Sequence, residues 1–172
     1  MSVASGLRAE GEADFSAGRF DSAIQAWRSA AQIDAPPPQD AFWARLALAM
    51  RRAGRLDDLK ALVRDLDADG MTHVHAHLQL ALLLNERQGV DAGLAALNAA
   101  AARREAGDLL DLLRIEVHLL SAAARFEDAV DAVRRMRLLE APNALPVMRT
   151  SLAIIERKMR TASLREARAA RN

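Results

Sequence analysis

Gly18-Arg19-Phe20-Asp21-Ser22-Ala23-Ile24-Gln25-Ala26-Trp27 is the stretch on which the fold turns. Its pattern returns as Gly54-Arg55-Leu56-Asp57-Asp58-Leu59-Lys60-Ala61-Leu62-Val63, and again as Gln88-Gly89-Val90-Asp91-Ala92-Gly93-Leu94-Ala95-Ala96-Leu97. A fourth copy is Ala124-Arg125-Phe126-Glu127-Asp128-Ala129-Val130-Asp131-Ala132-Val133. The offsets are 36, 34 and 36 residues. A turn, an aromatic or aliphatic residue and an acid stay in step four times, which predicts an internal repeat built from one supersecondary unit.

Working outward, the composition says what that unit is made of. The 172 residues, of single-domain size, include 38 Ala and 25 Leu, over a third of the chain in two strong helix formers. Ile, Val and Thr number only 5, 8 and 3, and Tyr is absent, which argues against a β-sandwich or barrel. Cys is absent too, excluding disulfides, thiolate metal sites and Cys nucleophiles. Apolar positions step by three and four, as at Trp43, Leu46, Ala47 and Met50, the mark of a helix with one buried face. Small residues at Ala23, Gly93 and Ala129 allow two helices to approach closely, and Trp27, Leu97 and Val133 fill the space one turn later. Gly18 and Gly54 supply the left-handed residue that ends a helix. Pro36-Pro37-Pro38 and Asp69-Gly70 break the chain between repeats.

Helix-turn-helix units of this length, with small and large residues in these places, resemble the tetratricopeptide repeat (TPR) family, in the form found in bacterial proteins. The resemblance rests on Gly11, Gly18, Phe20, Ala23, Trp27 and Ala30 in the first repeat, on Trp43, Leu46, Ala47, Gly54 and Val63 in the second, on Leu80, Ala81, Leu84, Gly93 and Leu97 in the third, and on Leu113, Val117, Phe126, Ala129 and Val133 in the fourth. It departs from the family at Asp14, where Tyr is preferred, at His77, where Trp is preferred, and at Leu59 and Leu66, which replace small residues. The resemblance implies an all-α, right-handed α-α superhelix of four repeats over about 4–37, 40–71, 74–107 and 110–142. Residues 143–172 remain for a capping helix with a basic tail. Asn143 is its expected N-cap, and Leu145, Met148, Leu152, Ile155 and Met159, stepping by 3, 4, 3 and 4, form its packed stripe. The same stripe is the candidate seam if the chain associates with itself.

Charge is uneven. Net charge is +1, yet residues 157–172 carry Arg157, Lys158, Arg160, Arg165, Arg168 and Arg171 against Glu166 alone, leaving the body mildly acidic. The opening residues contain no apolar leader and no run is long enough to cross a bilayer, so the chain is expected in the cytoplasm, with no membrane partner.

No chemistry is legible. The glycines stand singly, so no phosphate loop is present. Of the alternating His73, His75 and His77, the first and last share a helix face and the middle one points away, and no third ligand is visible on that face. His118, with no other histidine near it in the sequence, reads as structural. Neither a metal, nor a cofactor, nor a catalytic site is expected, and hence no enzyme on this chain alone.

The family's geometry implies instead a concave surface lined by the leading helix of each repeat. Carried over, its residues are Arg8, Arg45, Leu48, Arg51, Arg52, Leu78, Gln79, Leu82, Asn85, Arg114 and His118, with Glu12, Phe15 and Ile115 beside them. An apolar middle edged by arginine suits a peptide or helix of another protein, apolar with some acidic character. Members that hold a chaperone's C-terminal carboxylate resemble one another in a clamp of Lys, Asn and Arg. Here Glu12, Leu48, Leu78 and Leu82 stand in the matching places, so that activity is not expected. The expected function is a non-catalytic interaction scaffold or adaptor. The alternative is the repeat portion of, or a partner subunit for, a larger enzyme such as a glycosyltransferase. An RNA-binding helical repeat ranks last, because nucleic acid needs a basic groove.

Overall fold

The computed structural model describes residues 2–36, 41–68, 73–102 and 106–170, apart from the side chains of 106 and 107. Among these the protein is all-α, with nine helices and no strand. They are α1 Val3–Ser16, α2 Phe20–Ile33, α3 Ala41–Arg52, α4 Leu56–Ala68, α5 Val74–Gln88, α6 Val90–Ala101, α7 Ala106–Ala122, α8 Phe126–Met136 and α9 Ala144–Ala169. None of the helices is long and apolar enough to cross a membrane. The breaks expected at Pro37-Pro38 and Asp69-Gly70 lie outside the described residues. The chain divides into two compact units, Met1–Leu84 and Asn85–Asn172. Repeats that touch only their neighbours readily part into such blocks.

The repeated stretch makes the same turn three times. Gly18 and Gly54 have φ of +75° and +67°, and the amides of Arg19 and Arg55 donate back to the carbonyls of Asp14 and Met50 at 2.9 and 2.8 Å. That is the Schellman closure of a helix. In the fourth copy the amide of Arg125 donates to the carbonyl of Leu120 at 2.9 Å, but the left-handed residue is Ala124, with φ of +60°. An L-residue there costs about 1–2 kcal/mol, partly offset by the entropy that glycine would lose. Ala124→Gly should therefore raise the stability of the second unit by roughly 0.5–1 kcal/mol. Urea unfolding checks it, and a loss of stability would show that the turn relaxes without strain.

In the first unit α1 packs on α2, α2 on α3 and α3 on α4. The small-then-large pair works as the sequence predicts: Ala23 is fully buried and Trp27 is 1% exposed. Trp27 joins Leu46, Met50, Leu59, Val63 and Leu66 in one core. Five of the six aromatic residues are in this unit. Phe15 meets Phe20 and Trp27 at 5.5 and 5.6 Å, Phe42 meets Trp27 at 6.2 Å, and Trp43 meets Phe42 at 5.1 Å. Leu59 and Leu66, large where the family is small, are buried rather than extruded.

In the second unit α6 packs on α7, α7 on α8, and α9 on both α7 and α8. Leu113, Val117, Leu120, Val133, Met136 and Ile155 belong to its aliphatic core. The first half of α9 covers that core, but not through the expected stripe. Met148 and Ile155 pack inward, together with Ala144 and Ser151, while Leu145, Leu152 and Met159 are exposed. Close approach to α7 and α8 selects the small side chains, so the buried face lies about one residue round from the larger apolar ones. From Glu156 onward α9 covers almost nothing.

Candidate functional site

Each unit carries part of the expected surface. In the first unit it falls on α1, α3 and α5, the leading helices. The Arg45 guanidinium on α3 reaches back to α1, where it pairs with Glu12 and lies 4.9 Å over the ring of Phe15. Arg51, six residues further along α3, donates to Oε1 of Gln79 on α5 at 3.3 Å. These contacts link α3 to the leading helices before and after it. Leu48 and Leu82 are half-buried, and Arg52 is exposed with no ion pair to a described residue.

Two expected residues are placed elsewhere. Leu78 is 3% exposed, so it lines no open face. Residues 80–84 of α5 are all apolar, with Ala76, Ala81 and Leu83 also buried, and periodicity does not say which of its leucines points outward. Arg8 is half-buried. Its guanidinium donates to the carbonyl of Asp34 at 2.7 Å and to Oδ2 of that residue at 3.3 Å, and lies 5.9 Å from the ring of Phe42. It thus joins α1 to the end of α2 and the start of α3. In the second unit Asn85 is half-buried, Arg114 is exposed and 3.4 Å from Asp111, Ile115 is half-buried and His118 is exposed.

The histidines do not converge. His73 precedes α5 and is buried, and His75 is exposed. Nε2 of His77 lies 2.8 Å from Oδ1 of Asp67 on α4, a carboxylate ten residues upstream that helix geometry within α5 could not reveal. Among the described residues no three His, Asp or Glu side chains gather as a metal set.

The second helices carry an arrangement that the sequence reading missed. Arg55 donates through Nε to Asp58 at 2.8 Å, and through Nη1 to Asp21 of the preceding repeat at 3.2 Å. Arg125 does the same with Asp128 and Asp91, each at 2.8 Å. Both cross-repeat pairs span 34 residues. Arg28 on α2 adds a 2.8 Å bond to Asp58. The hydrogen bond from Arg55, then that from Arg28, hold the Asp58 carboxyl below the usual carboxylate range. Arg55 and Arg125 are raised above the ordinary arginine value, chiefly by their hydrogen bonds to Asp58 and Asp128. The signal was in the repeated stretch, as a basic residue before the aromatic or aliphatic one and an acid after it. Arg19, with no earlier repeat to reach, folds back on Asp14 at 2.6 Å, and the third copy has Gly89 in place of arginine.

Compared with known proteins, the chain matches no family model and no curated protein.

Proposed function

We propose that this chain is a cytoplasmic, non-catalytic scaffold of the TPR type, which holds a segment of another protein against the leading helices of its first unit. The observation that carries the reading is the pair of contacts Arg45–Glu12 and Arg51–Gln79, through which α3 reaches the leading helices before and after it. Phe15, Leu48 and Leu82, half-buried, supply apolar surface on those helices. Leu48 and Leu82 occupy equivalent places 34 residues apart. The repeat period, the Schellman turns and the small-then-large pairing support the family reading. Arg8, Arg45 and Arg51 are already engaged within the unit, which favours the apolar side of the expected partner over the acidic character that the groove arginines suggested.

Changing Leu48→Glu and Leu82→Glu together puts unpaired carboxylates beneath such a partner. Binding should fall about a hundredfold or more, the scale of an uncompensated buried charge. Because both leucines are half-buried, stability should drop by about 1 kcal/mol for each, with the helical signal retained at 25 °C. Proteins retained by the immobilised chain are quantified by mass spectrometry for the original and the double variant. Equal recovery of every retained protein by both would overturn the leading-helix face as the site.

A further inference from the structure

The outer half of α9 is a second surface, sharing no residue with the leading helices. Every residue from Glu156 to Ala170 is exposed except Ala162, which is half-buried. Five cations stand here, at Arg157, Lys158, Arg160, Arg165 and Arg168, against Glu156 and Glu166. Among the described residues only Arg160 forms an ion pair, with Glu156 at 3.6 Å, and the other four cations form none. In the repeats, by contrast, Arg19, Arg28, Arg45, Arg55 and Arg125 each reach a carboxylate, although Arg52 does not. Arg157 and Arg160, like Arg165 and Arg168, are like charges three residues apart on a helix, an arrangement that costs helix stability unless an anion lies between them.

Leu164 stands in the middle of this basic face, 66% exposed. Arg160 and Arg168, four residues before and after it, are its neighbours on the helix surface, and Arg157 lies on the same face one turn beyond Arg160. A phosphate backbone would use the cations and leave the leucine in water, and α9 has no aromatic side chain to stack on a base. A lipid surface selects helices whose apolar and basic residues lie on opposite faces, whereas here the leucine interrupts the basic one. What fits an apolar knob flanked by guanidinium groups is an apolar pocket rimmed by carboxylates. We propose that the exposed half of α9 docks through Leu164, with Arg157, Arg160 and Arg168 around it, into an acid-rimmed apolar pocket on a partner protein.

The test uses the full chain and a fluorescein-labelled amphipathic peptide, with leucine at the a and d positions of its heptads and glutamate at e and g. Such a peptide presents an apolar seam between two acidic rows. Anisotropy should show binding that weakens about tenfold in Leu164→Ser and by a similar factor in the double variant Arg157→Gln, Arg168→Gln. Both variants should keep the circular dichroism of the original, since all three side chains are in solvent. Absence of peptide binding, or an affinity unchanged by Leu164→Ser, would overturn the proposal. Tighter binding to an oligouridylate or to phosphatidylserine vesicles would overturn it as well, in favour of a phosphate ligand. The site shares no residue with the leading-helix face, so the two readings fail separately.

Discussion

Trp27→Ala should destabilise the first unit by about 3–5 kcal/mol, the range for truncating a buried Trp. The indole is 1% exposed and lies between the rings of Phe15 and Phe42, so its removal leaves a cavity walled by side chains that cannot easily close in. Its Nε1 also donates to the carbonyl of Arg8 at 3.3 Å, a bond lost along with the ring. The core of the second unit shares no residue with this one, so the loss should be local. Urea unfolding, followed by the fluorescence of Trp43 for the first unit and by far-ultraviolet dichroism for the whole chain, should separate the two. An earlier Trp43 transition and a dichroic change split into two steps are the expected result. A loss under about 1 kcal/mol, the scale of a surface change, would mean that Trp27 is not the keystone of its helix pair.

That a tryptophan belongs inside this repeat was legible in the sequence, because both clues are local. A small residue at Ala23 and a large one four places on at Trp27 define a close helix crossing, and the same spacing buries Gly93 with Leu97 and Ala129 with Val133. The turns were equally plain, since a left-handed residue after a helix leaves few alternatives to glycine, Ala124 being the exception with its own cost. What depends on a second helix was not legible. In α5, with leucine at 78, 80, 82, 83 and 84, hydrophobicity alone assigns no outside, and Leu78, expected on the open face, is buried. In α9 the larger side chains suggested one stripe, whereas packing on two neighbours chose Ala144 and Ser151 and left Leu145 and Leu152 in solvent. The groove arginines looked available because their partners, Glu12 for Arg45 and Gln79 for Arg51, lie on other helices 33 and 28 residues away. A helix read by itself displays its charges but not what has already neutralised them.

Gly11→Ala should destabilise the first unit by about 1–3 kcal/mol, although the same change inside most helices is favourable. Gly11 is buried in α1, and a Cβ built on it would overlap Cδ1 and Nε1 of the Trp27 indole and lie 2.9 Å from Cε2. The indole is rigid and held by aromatic rings on two sides, so it has little room to yield. Glycine is here the counterpart of the tryptophan, its missing side chain making space for the ring. If that is the cause, the sign of the substitution must depend on the ring. In the Trp27→Ala background the space above Gly11 is empty, and Gly11→Ala should then stabilise by roughly 1 kcal/mol through helix propensity. The coupling between the two changes, measured from four unfolding curves, should therefore amount to about 2 kcal/mol or more, near the upper end for residues in direct contact. Additive effects would show that α1 shifts to relieve the overlap, and that the close crossing of α1 and α2 is a consequence of the surrounding packing rather than of this glycine.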